Sequence, residues 1–495
     1  MAYPMPFHVD EWHHISESIR MENYGEYFEM LRGNSITKFT GLEVGFHFFL
    51  FMISWVVNLV WTYQYLPALW AVFSALALFY VVYKKTNNNF LIAWLAMIFF
   101  ASIRSNVNLT GLWFFTPLTF SIPFIFLYIY FLTNGIEDRN RKHVLIGLVI
   151  IIFLIITHSI SFLFSIPALL IHSIINYKRL IRDYKFFLLF LIIPILGVVF
   201  YKYTLAVPWQ NLLIHLFNSL QFRYGWGVLE IHNSLTEIYH WIGYALALIG
   251  VFFIINSKNS KKYAFYLLWP ATTFAFVVIY KLTGISYLSP YQRNLYYFAL
   301  SLPFLSAIGL YSLIKLLQKQ INRLFAGDKK TVLIQKFATV TVNINISEEH
   351  AKLIKAIITI IIVSIISLLV LLLAFTNYYN LPPQVSLYHV IEKKHYDALE
   401  FISSFPKASV MATPFVSTAL YPITGHNPIG TVAFYGDKRA VEAFFLNQEC
   451  SAKEIIIKSF DIKYVISPIY IDCDYEEIYH QKDNYIYKIN RNNDK

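Results

Sequence analysis

Four residues with proton- and metal-handling side chains fall within five positions near the start of the chain. Asp10, Glu11, His13 and His14 lie in the stretch FHVDEWHHISESIRM, residues 7–21. A carboxylate in such a cluster can take the proton of an attacking hydroxyl or orient an amide, which makes Asp10 and Glu11 the catalytic candidates. His14 is a candidate contact for an acceptor or a phosphate. Asp10 with His14 is also a candidate metal pair, and the carboxylate favours Mg²⁺ or Mn²⁺ as the ion. The spacing matches no HExxH-type signature. If residues 9–31 form a helix, Asp10, His14 and Glu17 share one face, while Trp12, Ile15 and Ile19 form an apolar stripe. Acids at a helix start also favour its dipole, so a purely structural reading stays open.

The elements that must position these residues are written in the composition. Of 495 residues, 57% are hydrophobic and 14% charged, with a mean hydropathy of +0.51. A soluble domain carries about a quarter charged residues, so the composition describes a polytopic membrane protein. The net charge of +11 then reflects basic membrane-flanking loops and gives no reason to invoke nucleic acid. Apolar runs at about 66–83, 90–107, 114–134, 143–158, 160–177, 186–204, 238–256, 264–283, 292–316 and 352–376 are candidate spans across ~30 Å of hydrocarbon.

Basic connections at 83–85, 139–142, 177–185, 257–262 and 315–355 are each separated by two spans. They therefore share one face, expected to be cytoplasmic. The acidic cluster and residues 377–495 fall on the other side, provided that GLEVGFHFFLFMISWVVNLV (41–60) lies at the interface. Glu43, His47 and Asn58 within that run favour this placement.

The topology exposes a second set of candidates. Positive charge is depleted on an outer face, so Arg104, Lys202, Arg223, Lys281 and Arg293 need a reason to be there. Arg293 follows YLSPYQ directly and offers a bidentate fork for phosphate oxygens. Arg104 and Arg223 come next as phosphate contacts, while Lys202 and Lys281 suit snorkelling to lipid headgroups. Residues 1–65 are expected to form an outer catalytic loop with juxtamembrane helices. Residues 66–376 form the transmembrane domain, with a cytoplasmic excursion at 317–351. Residues 377–495 form a small extracytoplasmic α/β domain, with strands in IKSFDIKYVISPIYIDC and NYIYKIN. Its 413–428 stretch, TPFVSTALYPITGHNP, reads as a Pro/Gly-rich loop with His426 turned to the membrane cavity. Cys450 and Cys473 both fall in this domain, where a disulfide is permitted.

The order of features resembles the GT-C superfamily of integral-membrane glycosyltransferases. An outer Asp-Glu loop is followed by a Pro-started span, then TGLWFFTPLTFSIPFIFLYIYFL, ITHSISFLFSIP and YLSPYQRNLYYFALSLPFLSAIGLYSL, with an outer α/β tail at the end. Protein O-mannosyltransferases, the aminoarabinose transferase for lipid A and catalytic subunits of oligosaccharyltransferases are similar in layout.

The resemblance implies a helical membrane protein of about ten spans. It would move a sugar from a polyprenyl- or dolichyl-phosphate carrier to a protein, lipid or glycan acceptor on the outer face of the plasma membrane. It also implies a role for Asp10 and Glu11 as the family's acidic pair, for Arg293 as the basic residue of a late span, and for His158 at the outer end of a middle helix. The sequence departs from the pattern twice. In the family a transmembrane helix precedes the acidic loop, whereas here that loop opens the sequence. The second outer loop of many relatives also carries an acid, whereas SIRSNVNLTGLWFF offers Arg104, Asn106 and Asn108. A transporter or lipid flippase, and a non-catalytic membrane protein with an outer binding domain, are the competing readings.

Overall fold

The computed structural model describes residues 5–22, 43–104, 111–181, 208–223, 235–258, 260–325, 348–379, 389–432 and 436–490, with single positions at 195 and 199. The rest of the expected span at 186–204, the Asn106 and Asn108 positions and the middle of the 317–351 excursion lie outside the described residues.

Helix α1 (Val9–Arg20) begins on a capping box. His8 Nδ1 accepts the Asp10 amide, and the Glu11 carboxylate returns to the amides of Phe7 and His8 at 2.8 and 3.1 Å. The helix stops at Arg20, short of the 9–31 expected. Helix α2 (Val44–Ser54) has 11 residues, about 16 Å of helix, which is half the thickness a span must cover.

The bundle contains α3 (Leu66–Lys85), α4 (Phe90–Ala101), α5 (Pro117–Asp138), α6 (Arg141–His158) and α7 (Ile166–Ile175). A short strand β1 (Gln221–Arg223) follows, then α8 (Trp241–Ile255), α9 (Ala264–Thr283), β2 (Ile285–Tyr287), α10 (Tyr291–Phe325) and α11 (Glu348–Tyr379). Among the described residues, five helical stretches are long and apolar enough to cross a membrane: Leu59–Lys85, Pro117–Asp138, Arg141–His158, Ser260–Thr283 and Tyr291–Gln320. Shorter apolar helices complete the bundle, the Ile160–Ile175 segment being broken ahead of Pro167. The chain is an α-helical polytopic membrane protein with a small C-terminal α/β domain.

Burial sorts the bundle into a centre and a lipid-facing rim. Helix α5 is buried along most of its length, and its hydroxyls fold back onto their own helix: Ser121 donates to Pro117 O and Thr133 to Ile129 O. Helix α3 instead exposes Leu69, Val72, Phe73, Leu76 and Tyr80, and α6 exposes Leu145, Val149, Ile152 and Ile156. Such helical rows have no place to go but hydrocarbon. Helices α8 and α10 touch backbone to backbone where Gly250 meets Gly309. A Cβ on Gly309 would stand 1.9 Å from Leu246 O, so only glycine permits this approach.

The helix ends fall into two sets. His240 with Ser102, and the Arg104 amide with Ile238 O, tie one end together, the end that carries α1. Lys85 with Asn134, and Lys262 with Asn87, tie the opposite end. The basic connections at 84–85, 139–142 and 257–262 lie at that opposite end.

The C-terminal domain adds α12 (Lys393–Ser403), β3 (Ser409–Ala412), α13 (Pro414–Thr424), β4 (Asn427–Pro428), α14 (Lys438–Leu446) and α15 (Cys450–Ser459). Strands β5 (Ile462–Ser467), β6 (Glu476–Gln481) and β7 (Asn484–Lys488) finish it. The sheet order is β4-β3-β5-β7-β6, parallel across β4, β3 and β5 and antiparallel from β5 through β7 to β6. Cys450 and Cys473 form a disulfide, with Cα atoms 5.7 Å apart.

The expected loop at 413–428 is instead largely the helix α13. Pro414 occupies its first turn, where no amide is missed, and Gly425 at φ 72° closes it in the left-handed conformation. His426 does not face a membrane cavity. It is fully buried inside the domain, where Nδ1 accepts from the Ala408 amide and Nε2 donates to Ile402 O.

Candidate active site

Helix α1 is held between the two halves of the protein. Trp12 packs with Leu399, Ile402, Val416 and Leu420 of the C-terminal domain, and Ile15 packs with Phe46, Leu66 and Phe115 at the end of the bundle. The apolar stripe expected from the sequence is therefore split between two cores. At the far end of the helix, the Arg20 guanidinium lies 3.7 Å over the Tyr421 ring. These contacts fix the rotation of α1, and with it the direction of its acids.

The two neighbouring acids have different surroundings. The Glu11 side chain is fully buried, and its oxygens accept from three backbone amides, those of Phe7, His8 and Phe115, the last at 3.0 Å. Burial dominates over these hydrogen bonds and pushes its acid up to about 7. Glu11 thus pins the first turn of α1 to the loop ahead of α5. The Asp10 side chain is 33% exposed, and its Oδ2 lies 3.4 Å from His8 Nδ1. Burial pulls His8 down, with the Asp10 charge opposing and the Arg293 charge assisting.

Arg293 stands in the first turn of α10. Asn294 anchors that turn, with Nδ2 donating to Ser286 Oγ and Ser289 O, and Oδ1 accepting from the Ser289 hydroxyl. Asp10, Glu43 and His8 are all within electrostatic reach of the guanidinium, and so is His158. His158 Nδ1 bonds Ser161 Oγ at 2.7 Å, and that hydroxyl bonds the hydroxyl of Tyr297 at 3.1 Å. Tyr297 is one turn beyond Arg293 and stacks on Phe164, with ring centroids 4.0 Å apart. Residues from the first loop, the end of α6 and the start of α10 therefore converge on one polar site.

His14 turns away from Asp10. Its Nδ1 meets His47 Nε2 at 3.0 Å and Glu43 Oε2 at 3.7 Å, so the expected Asp10–His14 metal pair is not the one the structure assembles. Glu17 joins His13 Nε2 at 3.0 Å to His47 Nε2 at 2.7 Å. The two histidines overcome the cost of burial and hold Glu17 well below the usual carboxylate range, whereas burial together with Glu17 and Asp10 pushes Glu43 well above it.

Of the other expected phosphate contacts, Arg104 lies within reach of His240, and Arg223 is exposed at the end of the β1–β2 ribbon. His8, Ser161 and Tyr297 were not singled out from the sequence. His47 and Glu43 were noted only as polar interruptions of an apolar run.

No family profile and no curated protein matches the sequence. Solved structures do. ArnT from Cupriavidus metallidurans in the apo state aligns with a TM-score of 0.52 at 11% identity, over 96% of this chain and 92% of that one. The Archaeoglobus fulgidus oligosaccharyltransferase in complex with Zn and sulfate aligns with a TM-score of 0.51 at 10% identity, over 94% of this chain and 64% of that one. The same enzyme tethered to an acceptor peptide gives 0.44 at 13% identity, over 82% and 57%. The chain thus spans less than two thirds of the oligosaccharyltransferase's length. Its fold is that of the GT-C glycosyltransferases.

Proposed function

We propose that this GT-C-fold membrane protein is a glycosyltransferase that moves a sugar from a polyprenyl-phosphate carrier to an acceptor on the outer face of the membrane. The observation that carries the reading is that a partly open carboxylate, Asp10, and a guanidinium from a distant part of the sequence, Arg293, lie within electrostatic reach of each other at one end of the bundle.

The chemistry divides between these groups. An acceptor hydroxyl or amide attacks the anomeric carbon, the bond from that carbon to the phosphate oxygen breaks, and the proton passes to Asp10. The leaving lipid phosphate gains negative charge as the bond breaks. Arg293 faces that charge with a planar fork of donors. His158, fixed through Ser161 and Tyr297, stands beside Arg293 as a further contact to the carrier phosphate. Arg104 and Arg223 are assigned as secondary cations along the path of the carrier. Glu11 positions the loop and does not react, because its oxygens already serve three backbone amides. The carrier's apolar tail would lie along lipid-exposed helices such as α3 and α6. The identities of sugar and acceptor are left to the assay.

The test is transfer of labelled sugar from a synthetic polyprenyl-phosphate donor by the purified protein in vesicles. Transfer to a protein, lipid or glycan acceptor supports the reading, and its absence across a donor and acceptor panel removes it. Sidedness is tested separately with Glu22→Cys. Both native cysteines are engaged in the disulfide, so an introduced thiol at this exposed position is the single reactive one. Labelling by an impermeant reagent from outside the cell is expected. Labelling from the cytoplasm alone would take the acidic loop off the outer face.

A further inference from the structure

We propose that His14, His47 and Glu43, with Glu17 beside them, form a site for a divalent transition metal of the zinc class, which clamps α1 to α2. The site adjoins the Asp10–Arg293 pair through Glu43, does not use Asp10 as a ligand, and goes beyond the transfer reaction.

The geometry is that of ligands gathered around a point. One atom from each of His14, Glu43 and His47 lies within 4.8 Å of the other two. The measured separations are 3.0 Å for His14 Nδ1 to His47 Nε2 and 3.7 Å for His14 Nδ1 to Glu43 Oε2. A tetrahedral ion with bonds of about 2.0–2.1 Å sets its ligands about 3.3 Å apart, between these two values. Glu17 Oε2 lies 2.7 Å from the same His47 nitrogen, on the flank of this three-ligand group, and leaves a fourth corner for water.

Two further observations favour an ion over hydrogen bonds alone. His47 Nε2 has both His14 Nδ1 and Glu17 Oε2 at bonding distance. A ring nitrogen of a neutral imidazole carries at most one proton, so one linear hydrogen bond there leaves the other contact poorly served. A cation at the centre accepts a lone pair from each group at once. Second, Glu43 occupies the N-cap position of α2, yet its side chain makes no capping hydrogen bond and turns to His14 instead. Its carboxyl group is thus directed at the imidazoles and not at the helix's open amides.

The donor set selects the ion. Two imidazoles with carboxylates suit zinc, whereas Mg²⁺ asks for oxygen ligands in octahedral array and keeps its water. The walls are apolar and close: His14 and His47 are 5% and 1% exposed, and the Phe46 ring stands edge-on to His14 at 5.1 Å. The ligands come from two helices that the chain joins through residues 23–42. A metal here therefore fastens α1, and the Asp10 one turn before His14, to the helix beside the membrane.

The experiment uses the full-length protein in detergent, stripped with chelator and dialysed against Zn²⁺. Elemental analysis should show one equivalent per chain, with a rise in melting temperature, because metal that binds only the folded state stabilises it. His14→Ala and His47→Ala should lose both effects. Glu43→Gln, at the half-buried rim, should weaken zinc affinity by at least the ~10–100-fold that loss of an orienting partner costs. Asp10→Asn should keep the metal, which separates this result from any failure of the transfer assay. Should the histidine variants not fold, Co²⁺ added to the wild-type protein supplies a second reading through the visible bands of a tetrahedral site. The proposal is overturned if wild type holds no equivalent of zinc and gives no tetrahedral Co²⁺ spectrum. It is also overturned if folded His14→Ala and His47→Ala retain the metal, or if Mg²⁺ binds there and zinc does not.

Discussion

Two clusters of buried charge sit at opposite ends of the bundle, and they are built differently. Away from α1, Lys85 is 1% exposed, and its ammonium lies 2.7 Å from Asn134 Oδ1 and 2.7 Å from Glu137 Oε2, with fully buried His172 alongside. Opposite charges there meet directly and seal each other. At the α1 end, Asp10 stays one-third exposed beside His8, and the Arg293 charge acts on Asp10, Glu43, His8 and His158 together. The first arrangement fastens α3 to α5. The second keeps acid and cation in reach of each other while leaving the acid accessible, which a site for a charged substrate requires. Burial of charge is thus no sign of function by itself, and access to the charge is the distinguishing feature.

The comparison can be broken by exchanging the expected effects. Asp10→Asn should lower the transfer rate by about 10²–10⁴-fold with little change in melting temperature, since a positioned base contributes on that order. Lys85→Met should do the reverse. Stranding the Glu137 carboxylate should lower stability by about 3–5 kcal/mol, and the double substitution Lys85→Met/Glu137→Leu should recover much of it. Thermal unfolding in nanodiscs reads this, and the rate per folded molecule should hold. A Lys85 variant that folds normally but cannot transfer sugar would erase the distinction between the two ends. Arg293→Ala should cost about 10²–10³-fold in rate, the usual penalty for removing a donor to developing charge. Arg293→Lys should restore part of that, since lysine keeps the charge without the fork.

The smallest effect is a pH dependence. Glu11 is held at about 7, against 4.5 for the free side chain, because burial penalises its charged form. The folded state therefore binds this proton more tightly than the unfolded chain. The contribution of Glu11 is most favourable below 4.5 and declines as pH rises through that value to about 7. Melting temperatures taken across this window should fall more steeply for wild type than for Glu11→Gln. Equal slopes would show that the buried carboxyl does not titrate as described.

The helical membrane bundle was legible because a polytopic chain must write its spans in apolar runs. Arg293 stood out as a positive charge at an end of the bundle where topology leaves few, and Asp10 stood out from its clustering with Glu11, His13 and His14. Glu11 looked chemically equivalent to Asp10 in sequence. Its position three residues after His8 was a capping-box signal, and the structure shows it serving backbone amides. The contact of His14 with His47 was not legible, since no spacing rule connects residues on two helices across a 33-residue separation. Helix α13 was missed because Pro and Gly were read as loop formers, although one opens the helix and the other closes it.

The central claim is that Asp10 and Arg293 act on one substrate. It is tested most directly by initial rates of transfer from a polyprenyl-phosphate sugar for wild type, Asp10→Asn, Arg293→Ala and the double variant, all reconstituted as folded protein. The account predicts that each single substitution abolishes most activity and that the double falls little below the worse single, as expected of groups that work as a unit. A wild-type rate in either single variant would contradict it.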